Sequence, residues 1–233
     1  MQVSKTLLAL GVAAALLVGC KKQDEAAAAE AAAATTDASI EQAEAPAPET
    51  AAPETPDASA APAVTAFDIN KIPVSDAALP AWPYVALPAG YHYYYSEDLA
   101  SRSKDLARVP VWTGGQLLWI EGKTFSDAIR SDEGKTYSKF EVRKNLQQAV
   151  EALGGVRLGE RSYDEATYKA NEKALDDFRR EFDRIRDAYW YDADADTYLI
   201  RRADKAIWVV FQTNNDGGGL LVAEGPLPEA PAK

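Results

Sequence analysis

The chain has 233 residues, with 25 basic and 36 acidic side chains, one histidine, one cysteine and a formal net charge of -11. One cysteine leaves no disulfide within the chain and one histidine leaves no multi-histidine metal site, so the folded part must rely on its core, and neither a metal nor another cofactor is expected. The acidic balance argues against nucleic acid as a partner and against an electrostatic grip on anionic lipid, because both depend on neutralising phosphate charge.

Residues 1–20 read as a secretory signal peptide: Lys5, an apolar stretch from Leu7 to Val18, then a small residue. The stretch is too short to span a bilayer comfortably, since a spanning helix needs about 20 apolar residues. It closes on Leu16-Leu17-Val18-Gly19-Cys20, which is similar to the bacterial lipobox. That similarity implies cleavage before Cys20, lipidation of Cys20 and attachment to a membrane through more than one acyl chain. Lys21 stands where an aspartate would favour retention, which implies the outer membrane, facing the periplasm.

Residues 21–66 are dominated by Ala, Pro, Glu and Thr, with two lysines against nine acids and no aromatic residue. Such a segment cannot bury enough apolar area to offset ordering entropy and reads as a disordered tether. At this length a flexible chain reaches about 40 Å.

From Phe67 aromatic and branched residues set in, and 67–225 is sized for one domain with a real core. Prolines at 73, 80, 83, 88 and 110 make 67–112 read as an irregular strap. Leu117–Phe125 is rich in branched and aromatic residues and predicts a strand. A helix is predicted near 139–153. Ser138 and Glu141 form a capping box there, Tyr137 and Val142 a hydrophobic staple, and Val142, Leu146, Val150 and Leu153 an apolar stripe ended by Gly154-Gly155.

Val156–Gly159 is a short strand candidate. A second helix is predicted from about 164 to 188, with Ser162 and Glu165 as its cap and Leu175, Phe178, Phe182, Ile185 and Tyr189 as its stripe. Thr197–Arg202 and Ala206–Gln212 read as an antiparallel pair, followed by a last strand at Leu220–Glu224. Residues 226–233 are again linker-like and expected to be disordered. The order predicts a single α+β domain, its largely antiparallel sheet carrying two helices packed on one face.

Several stretches together carry a resemblance: Lys71-Ile72-Pro73-Val74-Ser75, Trp82-Pro83-Tyr84, Leu87-Pro88-Ala89-Gly90-Tyr91, Val111-Trp112-Thr113-Gly114, Ile120-Glu121-Gly122-Lys123 and Thr197 through Val209. The series resembles the N-terminal domain of certain Gram-negative OmpA-family lipoproteins. The resemblance implies an envelope address and one fold unit. In those proteins an OmpA-like domain follows and holds peptidoglycan; this sequence ends at Lys233, so no peptidoglycan-binding residue carries over.

Chemistry is sparse. Asp192, Asp194 and Asp196 open like an EF-hand loop, but Thr197 and Ala203 stand where Gly and Glu are needed, which favours a plain acidic loop. His92 lies in Tyr91-His92-Tyr93-Tyr94-Tyr95 and reads as structural. Glu121 is expected to pair across the sheet with Lys123, Arg201 or Arg202. Trp82, Tyr84, Tyr93 and Trp112 could form an aromatic platform for a glycan or peptide, set against the plainer role of filling the core.

No nucleophile–base motif occurs, so the expected function is a lipid-anchored envelope lipoprotein with a non-catalytic periplasmic domain. That domain binds an envelope protein or peptidoglycan, or serves assembly without a small ligand. The alternative is a periplasmic hydrolase acting on cell-wall glycan through a carboxylate pair.

Overall fold

The computed structural model describes residues 66–95 and 97–229. The signal segment, Cys20 and nearly all of the tether lie outside these residues.

Seven strands form one antiparallel sheet: β1 (Tyr91–Tyr93), β2 (Ser103–Trp112), β3 (Leu117–Ser131), β4 (Val156–Arg161), β5 (Asp194–Arg201), β6 (Ala206–Thr213) and β7 (Gly218–Gly225). Two helices, α1 (Lys139–Ala152) and α2 (Glu165–Glu181), interrupt the strand sequence. The sheet order is β1-β3-β7-β6-β5-β4, with β2 also paired to β3.

The long β3 is the spine. Its Phe125 faces Ser103 of β2, its Ile129 faces Tyr93 of β1, and Lys123 through Ile129 pair with β7 on the other side. β1 and β2 therefore share one edge of β3, with a short gap at Ser126–Ala128 between them.

The α+β class and the antiparallel sheet are as expected, but the placement of both helices on one face needs correction. α1 packs Val142, Leu146 and Val150 against Ile207, Val209 and Phe211. α2 packs Leu175 and Phe178 into the cluster that holds Trp208 and Val210. Odd and even positions of β6 point to opposite faces, so the helices lie on opposite faces. Ala206–Phe211 is buried at every position, the mark of a strand covered on both sides.

The caps are only partly those predicted. Ser138 accepts the Glu141 N–H at 3.2 Å. The Glu141 carboxylate, however, takes the Tyr91 hydroxyl at 2.8 Å and the Lys135 ammonium at 2.9 Å, which hold its acid strength up and its pKa below the usual range. α2 is capped by Asp164, which accepts from Thr167 N, and not by Ser162. It ends at Glu181 because Phe182 leaves helical geometry; a 3-10 turn at Arg186–Tyr189 then keeps Tyr189 in the core.

The strap reading of 67–112 also needs correction, since it contains β1 and all of β2. Charged Lys104 and Asp105 and the proline at 110 hid β2, but an edge strand tolerates a proline. Upstream of β1 a strap does exist. Arg201 donates to the Ile69 and Ile72 carbonyls, both at 3.0 Å, and Arg202 to the Ala77 carbonyl at 2.7 Å. At the other end, Leu227 packs against the α2-side core, so the linker-like tail does not begin at 226.

Asp196 fastens α1 to β5. Its carboxylate, nearly enclosed, receives the Arg143 guanidinium in a two-pronged bond of 2.6 and 2.9 Å. Arg143→Met is expected to cost about 2 kcal/mol, because it removes both short bonds to a buried carboxylate and leaves it only Arg157, 3.8 Å away. Urea unfolding measures it, and adding Asp196→Leu to Arg143→Met should recover most of the loss.

Candidate functional site

The four residues of the predicted platform do not come together. Tyr93 is buried, donates to the Val85 carbonyl at 2.8 Å and packs edge-on against Phe125. Burial pushes its phenol pKa up. Trp82 and Tyr84 are half-buried beside one another on the α1 side, their ring centroids 5.1 Å apart. Trp82 donates to Ser103 Oγ at 2.8 Å, while Tyr84 donates to Glu224. Burial and that bond push the Tyr84 pKa up to about 12. Trp112 belongs to the opposite face, against Tyr163.

The other sequence candidates also resolve into structural roles. Asp194 and Asp196 form ion pairs with Lys139, Arg161 and Arg143, and among the described residues no group of three metal-ligating side chains forms. His92 Nδ1 lies 2.7 Å from Asp132 across the β1–β3 pair. Glu121 pairs with Arg108, 3.8 Å away, rather than with the cations expected.

Two neighbouring aromatic pairs are exposed, Trp190 with Tyr191 and Tyr94 with Tyr95, and β3 builds the surface that carries the second. In the gap between β1 and β2, Tyr94 N–H donates to the Ala128 carbonyl at 2.9 Å. Tyr95 N–H donates to Asp127 Oδ2 at 2.8 Å, and Arg102 Nε to the Ser126 carbonyl at 3.2 Å. Asp127 is wholly buried, so this carboxylate sets the path of the chain just past β1. The outcome is two neighbouring tyrosines in solvent, Tyr94 at 49% and Tyr95 at 40% exposure, edge to face with centroids 4.9 Å apart. Arg184 lies 4.8 Å from the Tyr94 ring and 5.5 Å from the Tyr95 ring, and Arg102 lies 5.0 Å from Tyr95. Arg184 Nη2 donates to the Tyr95 hydroxyl at 3.2 Å.

Arg184 also lines a polar groove of about 230 Å³ at this end of the sheet. Arg130 from β3, Arg186 from the turn after α2, Gln212 and Asn214 at the end of β6, and two carboxylates, Asp183 and Asp187, line it with Arg184. The loop bearing Arg184 sits close on the sheet because β7 has glycine at 219. A Cβ there would crowd the Arg184 carbonyl and approach Ile185 Cα to 3.3 Å. Gly217 likewise leaves room for the Arg130 guanidinium against the β6–β7 turn.

A second hollow, between α2 and Trp190, holds two carboxylates, Asp176 and Asp183. Asp176 already accepts from Tyr168 at 2.9 Å and Arg179 at 3.1 Å, and Asp183 lies 3.7 Å from Arg184 and 3.9 Å from Arg102.

No protein-family model, no curated protein and no solved structure matches this chain. Among the described residues no helix is long and apolar enough to cross a membrane.

Proposed function

We propose that this is a lipid-anchored outer-membrane lipoprotein facing the periplasm, whose domain is a non-catalytic binding module for the cell envelope. The address rests on Cys20 directly after Leu-Val-Gly and on the resemblance of 70–212 to OmpA-family lipoprotein domains. The binding role rests on one observation: Tyr94 and Tyr95 stand exposed side by side, backed by Arg102 and Arg184. Paired exposed aromatics suit the faces of sugar rings, which makes peptidoglycan glycan the partner favoured here. In the second hollow Asp176 is hydrogen-bonded by Tyr168 and Arg179 and Asp183 stands in ion pairs with Arg184 and Arg102, which does not favour the hydrolase reading.

Two measurements test this. Labelled palmitate should enter the full chain expressed in a Gram-negative host and should not enter Cys20→Ser. The lipoprotein in mild detergent should co-sediment with peptidoglycan sacculi, and Tyr94→Ala with Tyr95→Ala should weaken this about tenfold, the scale of two lost aromatic contacts. Sedimentation unchanged in the double variant would overturn the glycan assignment and turn attention to protein partners.

A further inference from the structure

We infer that the groove beside Tyr94 and Tyr95 is an oxyanion site. It takes a carboxylate or phosphate borne by a ligand whose uncharged part lies on the two tyrosines. This deepens the binding-module reading and rests on it.

The groove holds three arginines against two carboxylates. Within the groove Arg184 is ion-paired with Asp183 at 3.7 Å and Arg186 with Asp187 at 3.6 Å, neither close enough for a hydrogen bond. Arg184 gives Nη2 to the Tyr95 hydroxyl, and its Nε, shielded from water, has no hydrogen-bond partner among the described residues. Arg130 forms no ion pair among the described residues, and its Nη1 makes only a long bond of 3.4 Å to the Asp216 carbonyl. Three guanidinium groups thus stand against two carboxylates in one small groove, and the Arg130 charge is left over there, on a chain whose formal charge is -11.

Other arginines hold short bonds, Arg143 on Asp196 at 2.6 Å and Arg201 and Arg202 on carbonyls at 3.0 and 2.7 Å. Planar forks of donors match carboxylate and phosphate oxygens, and such bonds strengthen when water is displaced. Gln212 and Asn214 add neutral donors on the opposite wall. The groove, of about 230 Å³, has room for one compact acidic group. The remainder of the ligand extends over Tyr94 and Tyr95, which Arg184 links to the groove.

The test is calorimetric titration of the full lipoprotein in detergent with D-glucuronate, inorganic phosphate and D-glucose. At least one anion should bind, glucose should not, and Arg130→Gln with Arg186→Gln should weaken the anion at least tenfold. A carboxylate-bearing sugar is indicated if glucuronate binds and Tyr94→Ala with Tyr95→Ala weakens it. A phosphate source is indicated if phosphate binds with the same arginine dependence and is indifferent to the tyrosines. Failure of both anions to bind, or binding unchanged in the arginine variants, overturns the assignment. Sacculus binding that survives the arginine variants but is lost in the tyrosine variants overturns it too, while leaving the binding module standing.

Discussion

Truncating Trp208 to alanine is expected to cost about 3–5 kcal/mol, a large part of the 5–15 kcal/mol that holds an ordinary domain folded. Trp208 is fully buried at the middle of β6, packs against Phe67 at 5.8 Å and joins the cluster under α2. No neighbour can collapse into the space, because β5 and β7 flank it through paired Leu199 and Ala223. The indole N–H, however, is buried with no acceptor among the described residues, and an unpartnered donor costs about 1–3 kcal/mol. Trp208→Phe removes that donor while keeping a ring, so it should lose less than half as much as Trp208→Ala. Urea unfolding of the two variants decides the matter; equal losses would mean that the N–H is satisfied in solution.

Gly122→Ala is the second large effect, about 3 kcal/mol. The cause is collision rather than an unfavourable dihedral angle. A Cβ on Gly122 would fall well inside contact distance of the Glu224 carbonyl oxygen, 2.9 Å from its carbon and 3.0 Å from Gly225 Cα. All three are backbone atoms of β7, so relief requires β3 and β7 to part where their pairing ends at Lys123 and Glu224. Overpacking of this kind typically costs 1–3 kcal/mol and more when backbone must move. Gly134→Ala is the control. Gly134 has a positive φ of 79° but open space around it, so its loss should stay near 1 kcal/mol. Thermal unfolding of both variants separates the two causes.

How much of this was legible in the sequence depends on whether the signal was local. α1 was readable because Ser138, Val142, Leu146 and Val150 form one periodic stripe with its cap in place. The β5–β6 hairpin was readable from its short turn. The assignment of faces failed although the signal was present: the unbroken apolar run from Ala206 to Phe211 can only belong to a strand covered twice. β2 was hidden because its charged half lies at an edge, where polarity is an asset.

The site was legible only in part. The run Tyr91–Tyr95 was visible, but alternation does not tell which tyrosines face the core; Tyr91 and Tyr93 do, and Tyr94 and Tyr95 do not. The groove was not legible at all. Arg130, Arg184 and Asn214 are brought together by β3, the loop after α2 and the β6–β7 turn, and no spacing rule connects them.

The strap held by Arg201 has a mechanical consequence. Tension applied to the chain ahead of residue 66 enters the domain at Phe67, whose N–H is held by Gln116 at 2.8 Å. Beyond it lie the Arg201 bonds to Ile69 and Ile72 and the Ser75 N–H bond to the Arg201 carbonyl at 2.8 Å. All three latter bonds converge on one residue at the end of β5. A pull from upstream is thus spread over several bonds at the end of β5, the strand beside the β4 edge, before any ladder of the sheet is loaded, and the arginine–tyrosine surface, carried by β3 and the loop after α2, stays off that line of force.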